Sequence, residues 1–131
     1  MDILPTHTCF DDALEFLDEL MKGGEVDRLA RLRVVHGICL APEGPKAGSP
    51  FAHAWVEEDG DCVQAGLVAG CEHKVYFGIE RAEFYKMLRV QVSTAYTAQD
   101  AMLNNARFGH FGPWENSYRE IITNGDRTVF Q

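Results

Sequence analysis

The sequence predicts one α+β domain over residues 1–131, with an N-terminal helix packed on an antiparallel sheet. The chain has 131 residues, of which 46% are hydrophobic, enough to fill a single core. An apolar stripe at helical spacing lies near its start. In its middle, an Asp-Gly pair separates two apolar runs, a pattern typical of a β-hairpin with a two-residue turn.

The first half of the chain predicts two helices and a buried strand. A helix is predicted over 8–21, where Phe10, Ala13, Leu14, Leu17 and Leu20 form the apolar stripe. Thr8 and Asp11 predict a shortened capping box at its start, and Gly23 and Gly24 end it. A shorter helix over 26–32 and a buried strand over 32–40 follow. The run 41–50 holds three prolines and two glycines, which predicts a loop.

The predicted hairpin spans 51–68 and turns at Asp59 and Gly60. If Glu58 faces Asp61, then Trp55 faces Gln64 and His53 faces Gly66. Side chains alternate between the two faces of a strand, so His53, Trp55 and Gln64 would share one face. His53 and Gln64 would then be diagonal neighbours.

The second half predicts a strand over 74–79, a helix over 80–88, a strand over 89–96 and a helix over 98–107. Phe84, Met87 and Leu88 are the expected buried residues of the first of these helices. Thr97 is the expected cap of the second helix, which Gly109 ends. Residues 109–114 form an aromatic loop, and the segment from 115 is polar, with no element predicted.

The charge and the cysteines narrow the functional classes. A net charge of -8 and a pI near 5.0 argue against nucleic-acid binding. The start of the chain lacks the features of a signal peptide, and no window is apolar enough to span a membrane. Cys9, Cys39, Cys62 and Cys71 show no CxxC pair and are expected to be free thiols in the cytoplasm.

Cys9 is the first candidate for chemistry, because it lies in the first turn of the first predicted helix. Unpaired backbone amides and the helix dipole favour an anion there, and helix N-termini lower cysteine pKa values. The same amides suit an oxyanion hole. The alternative is a small buried thiol that packs beside Phe10.

His53 and Gln64 are the next candidates. His53 lies between two alanines on a predicted strand, where imidazole is an unusual choice unless it has a task or a partner. The amide oxygen of Gln64 would accept a hydrogen bond from the imidazole N–H and fix the orientation of the ring. Gln64 would then be the third residue of a catalytic triad, after the nucleophile and the base. The alternatives are a hydrogen-bonded core histidine and an amide at a wet sheet edge.

Rival sites are weaker. The histidines and cysteines lack ligand spacing such as HxxxH, so we predict neither a metal nor another cofactor. Cys39 is a rival nucleophile, although its strand offers no helix end. His110 is a rival base or a substrate-facing residue of the 109–114 loop. The histidines considered as metal ligands are His7, His36, His53, His73 and His110.

Several motifs together resemble transglutaminase-like and papain-like cysteine proteins, and more narrowly a group of small bacterial and phage proteins. They cover residues 8 to 115: Thr-Cys-Phe at 8–10, VHG at 35–37, EGPKAG at 43–48, HAWVE at 53–57, Tyr96-Thr97 with Ala101, and GHFGPW at 109–114. The resemblance implies a papain/transglutaminase-like core, with Cys9 as nucleophile and His53 as general base. Related proteins usually carry Asp where this chain has Gln64.

The resemblance implies acyl transfer from a protein or peptide substrate, by a hydrolase, a deamidase or a transglutaminase. Trp55 would wall the cleft, and His110 and Trp114 would border it from their loop. The competing interpretation is a catalytically inactive relative that works by binding a protein. If a phage encodes the chain, that protein would belong to the host. The acidic surface would suit a basic partner.

Overall fold

The structure, a computed structural model, describes residues 3–4, 8–42, 44–68 and 74–124. Within these ranges the chain forms six strands and five helices. The strands are β1 (Ile3–Leu4), β2 (Arg33–Leu40), β3 (Pro50–Glu58), β4 (Asp61–Val68), β5 (Lys74–Glu80) and β6 (Val92–Thr97). The helices are α1 (Cys9–Lys22), α2 (Val26–Arg31), α3 (Arg81–Leu88), α4 (Ala98–Phe108) and α5 (Asn116–Asn124).

The strands form one antiparallel sheet, so the predicted α+β class with an N-terminal helix is confirmed. Along the sheet the order is β1-β4-β3-β2-β6. β5 pairs with β4 along the edge opposite to the one that β3 and β1 share. β2 lies between β3 and β6 and is almost entirely buried, as its apolar sequence predicts. None of the helices in the described ranges is long and apolar enough to cross a bilayer.

The hairpin between β3 and β4 begins as predicted and then opens. Asp59 (φ 49°) and Gly60 (φ 87°) both have positive φ, as a type I′ turn requires, and Glu58 pairs with Asp61. The ladder continues only as far as Val56 and Val63. The predicted pairs of Trp55 with Gln64 and of His53 with Gly66 are therefore wrong. β3 and β4 are therefore separated by a gap beyond Val56 and Val63. We call this gap the strand split.

Two other strands pair with β4 where β3 departs. Gln64 pairs with Phe77 of β5, on the outer edge of β4. At the far end of β4, Leu4 of β1 pairs with Leu67, on the edge that β3 has left. The strand split is thus bounded by the β3–β4 ladder at one end and by β1 at the other.

Helices cover both faces of the sheet. The apolar stripe of α1 is buried as predicted, against Val34 and Val56 on one face, together with Ala98 and Ala101 of α4. On the opposite face, Phe84 and Leu88 of α3 pack on a second cluster with Val35, Phe51 and Trp55. Met87, which was also expected to be buried, is 49% exposed, because it lies on the side of α3 away from the sheet.

The helix ends agree in part with the predictions. Thr97 caps α4 by accepting the backbone amide of Asp100 at 3.1 Å, and Gly109 ends that helix in the left-handed region. Thr8 precedes α1, but its side chain makes no capping bond; its hydroxyl donates to Oδ1 of Asp12 at 3.0 Å instead. The predicted capping box is therefore wrong. The α5 helix, in the segment expected to be merely polar, buries Tyr118.

Candidate active site

Cys9 is the first residue of α1, at the predicted helix start, and it lies at the strand split. The residue as a whole is partly exposed, but its sulfur is buried, and the side chain packs on Phe10, Ala52 and Ala54. In a hairpin closed by Glu58 and Asp61, the backbone polar groups of Ala54 point toward the position that β4 would occupy. β4 has departed there, and a backbone hydrogen bond links Ala54 with the Cys9 thiol instead.

His53 and Gln64 meet across the strand split. The distance from Nε2 of His53 to Oε1 of Gln64 is 3.2 Å. An amide oxygen only accepts, so with Oε1 as the partner Nε2 carries the proton of the neutral ring and Nδ1 keeps its lone pair. Nδ1 is buried and has no hydrogen-bond partner among the described residues. The predicted neighbourhood of His53 and Gln64 is thus present, although the strands that carry them are not paired there.

Aromatic rings enclose the imidazole of His53 on the α3 face of the sheet. The Phe84 ring stacks on it with centroids 6.3 Å apart, and the rings of Phe51 and Trp55 lie at 5.7 Å and 5.9 Å. His53 is 8% exposed. Burial lowers its pKa to about 4, against the hydrogen bond that Nε2 donates to Gln64 and the charge of Asp12, which both raise it. The ring is therefore neutral at pH 7.

The Cys9 thiol is also neutral at pH 7. Burial raises its pKa to about 12, and the nearby charge of Asp12 adds to this rise. Backbone hydrogen bonds with Ala54, Phe10 and Cys9 itself act in the opposite direction. The expected effect of backbone amides at the helix start is present, but the loss of solvent around the sulfur outweighs it.

Cys9 and His53 approach the strand split from opposite sides. Alternation along β3 places Ala52 and Ala54 toward α1, and His53 with Trp55 toward α3. Nδ1 of His53 has no partner in the described part of the chain, so the thiol does not hydrogen-bond to it in this arrangement. The structure brings the neutral thiol to Ala54, the residue after His53, without a hydrogen bond between the thiol and Nδ1 of the imidazole.

The predicted substrate-binding residues lie in two places. Trp55 is 1% exposed and donates from Nε1 to Oε2 of Glu57 at 2.9 Å, so it supports His53 from inside the core and does not wall an open cleft. His110 and Trp114 lie on the α1 side, where Nε1 of Trp114 donates to the carbonyl of His110 at 3.0 Å. Their loop adjoins the helix start, because Gly112 lies against Phe10.

Sequence reasoning considered His36, which the 109–114 loop covers, only as one of several weak candidates for a metal ligand. His36 is 1% exposed, and the rings of Phe10, Tyr96 and Trp114 pack on it at 4.8, 5.2 and 4.8 Å. Neither ring nitrogen has a hydrogen-bond partner among the described residues, and burial lowers the pKa of His36 to about 3. Its place after Val34 and Val35 on an apolar strand was the available signal.

The rival sites gain little from the structure. Cys39 and Cys62 are buried, and burial raises the pKa of each to about 12. Cys71, His7 and His73 lie outside the described residues. In the part of the chain that the structure describes, no group of three His, Cys, Asp or Glu side chains is arranged to hold a metal ion.

No protein-family model, curated protein or solved structure matches this chain. The likeness to transglutaminase-like and papain-like proteins stays a prediction from motifs, and the function has to be argued from the site itself.

Proposed function

We propose that this chain is a cysteine-dependent acyl-transfer enzyme with Cys9 as nucleophile, His53 as general base and Gln64 as the residue that orients the imidazole. The observation that carries the proposal is the 3.2 Å contact from Nε2 of His53 to Oε1 of Gln64, which leaves a buried lone pair on Nδ1. Support comes from the thiol at a helix start, beside the backbone amide that follows His53.

The neutral resting pair favours proton transfer during attack over a preformed thiolate. The Cys9 sulfur bonds to the carbonyl carbon of a peptide, isopeptide or glutamine amide, while its proton moves to Nδ1 of His53. The carbonyl electron pair moves to oxygen, and the amides of Cys9, Phe10 and Ala54, which bond to the thiol, would donate to that oxyanion. The two side chains must close on each other for this step.

Collapse of the intermediate breaks the carbon–nitrogen bond, and the departing amine takes the proton from Nδ1. A thioester on Cys9 remains. Water or a second amine then attacks the thioester and releases the thiol, which gives hydrolysis or transamidation. The free thiols of Cys9, Cys39 and Cys62 suit a reducing, cytoplasmic setting for this chemistry.

The competing proposal is a protein-binding module without catalysis. The observation in its favour is the raised pKa of Cys9, about 12, together with the absence of a bond from Nδ1 of His53 to any described residue. A thiol and an imidazole that are both neutral and do not bond to each other do not require chemistry. The net charge of -8 would then favour a basic protein partner.

Acylation by p-nitrophenyl acetate tests the enzyme proposal, with p-nitrophenol release followed in a stopped-flow instrument and the acylated cysteine identified by peptide mass spectrometry. We expect Cys9 to be acylated, and His53→Gln to slow acylation by about 10²-fold or more, as loss of a general base does. Cys39→Ser serves as a control and should leave the rate unchanged. If Cys9 of His53→Gln is acylated as fast as Cys9 of the wild-type protein, His53 is not the general base and the binding module is favoured.

A further inference from the structure

A partly buried ion pair ties the helix turn that carries Cys9 to β5, on the far side of β4. Asp12 is 3% exposed and lies one turn along α1 from Cys9. Nζ of Lys74, the first residue of β5, lies 2.6 Å from Oδ1 of Asp12 and 2.5 Å from Oε2 of Glu15. Thr8 donates to the same Asp12 oxygen at 3.0 Å. The start of α1 is therefore fixed to β5 by charge-assisted contacts.

The charge of Asp12 acts on both members of the candidate pair. It raises the pKa of the Cys9 thiol, which opposes the thiolate, and it raises the pKa of His53, which favours the imidazolium. Gln64 contacts His53 but carries no charge. Asp12 thus supplies a carboxylate whose charge acts on the imidazole in a site whose third member is an amide.

We propose that Asp12 and Lys74 are positioning residues of the candidate site: they hold the first turn of α1 in place, and the balance of their charges sets how readily Cys9 gives up its proton. This inference rests on the proposed function, since it concerns the same thiol. Lys74 partly neutralises the Asp12 carboxylate, whose charge opposes the loss of the Cys9 proton.

Two substitutions distinguish the effect of the two charges on Cys9 from a purely structural role of the ion pair. Asp12→Asn keeps the side-chain shape and leaves the Lys74 cation, so the thiolate becomes easier to form. Lys74→Met leaves the Asp12 anion, so it becomes harder to form. We expect iodoacetamide to alkylate Cys9 about three- to tenfold faster in the first variant and slower by a similar factor in the second, since tenfold more thiolate is partly offset by lower nucleophilicity.

The matched control is the exposed pair of Lys22 and Asp18 on the same helix, joined at 2.9 Å. Asp18→Asn and Lys22→Met should leave the Cys9 rate within about a factor of two, because exposed charges are strongly screened. Rates are measured between pH 8 and 9 by peptide mass spectrometry on folded protein, with Cys39 and Cys62 followed in the same samples.

Both test variants remove the same ion pair, so a purely structural role would move both rates in one direction. Alkylation rates that change in opposite directions in the two variants support the proposal. Rates that change in the same direction, or a rate that changes in neither variant, overturn it. If Lys74→Met does not fold, Glu15→Gln replaces it, because it keeps the partly buried pair and removes only the exposed carboxylate. Asp12→Asn must then accelerate alkylation more than Glu15→Gln does. These readouts need no catalysis, so they stand apart from the His53→Gln acylation test.

Discussion

Acidification should destabilise this fold through His36. Burial holds the pKa of His36 at about 3, whereas its ordinary value is 6.5. The unfolded chain therefore binds a proton below pH 6.5 while the folded chain does not. The stability that neutral His36 contributes is fully present above pH 6.5 and is lost as the pH falls from 6.5 toward 3. One pH unit in that range corresponds to about 1.4 kcal/mol per histidine, so the loss at pH 5 is about 2 kcal/mol.

The substitution His36→Met should remove this part of the pH dependence. Methionine is close to histidine in volume and adapts to the space between Phe10, Tyr96 and Trp114. The two ring nitrogens have no hydrogen-bond partner among the described residues, so their loss should cost little at pH 8. His53, with its pKa held at about 4 by burial, contributes a second, similar loss, which the variant keeps.

Urea unfolding at pH 8 and pH 5 measures the effect. The free energy of unfolding of the wild-type protein should fall by about 4 kcal/mol from pH 8 to pH 5, through His36 and His53 together. That of His36→Met should fall by about half as much. Tyr96, the titratable group among the rings on His36, stays neutral throughout, because burial raises its pKa to about 12. If the variant loses as much stability as the wild-type protein, the burial argument for His36 is wrong.

Two further substitutions test the surroundings of His53. Gln64→Glu replaces the amide oxygen, 3.2 Å from Nε2, by a carboxylate oxygen and should raise the pKa of His53 from about 4 by about one unit or more, as followed by NMR of the ring protons. A pKa that stays near 4 would show that the two side chains do not meet. Gly37→Ala places a Cβ 2.8 Å from Cη2 of Trp55 and 2.9 Å from the carbonyl of Val92, so its unfolding free energy should fall by about 1–3 kcal/mol in urea titrations. An unchanged midpoint would mean that the Trp55 ring moves away at no cost.

Features set by adjacent residues were predictable from the sequence. The turn at Asp59 and Gly60 needs two positive φ angles, which that pair adopts more easily than most, and the Glu58–Asp61 register follows from the turn length. The stripe of α1 and the cap at Thr97 are local in the same sense. Each of these was confirmed.

Features that depend on distant parts of the chain were not predictable. Lys74 lies 62 positions from Asp12, and nothing in the spacing of the two residues indicates their contact. The pKa of Cys9 depends on how much protein surrounds the sulfur, which is a sum over several elements. The helix start indicated the direction in which local amides act, but the larger effect came from packing.

The departure of β3 from β4 connects the correct and the incorrect predictions about the site. In a ladder continued past Val56 and Val63, the backbone amide of Ala54 would bond to Ala65, and the Cys9 thiol would have no access to it. Because the ladder ends, that amide is available to the sulfur, while Gln64 still reaches His53 from the other side of the gap. A hairpin with perfect pairing would hold His53 and Gln64 on one face and exclude Cys9 from both. The early end of the β3–β4 ladder, in an otherwise correct register, is thus the feature that lets a helix residue reach the strand of the imidazole.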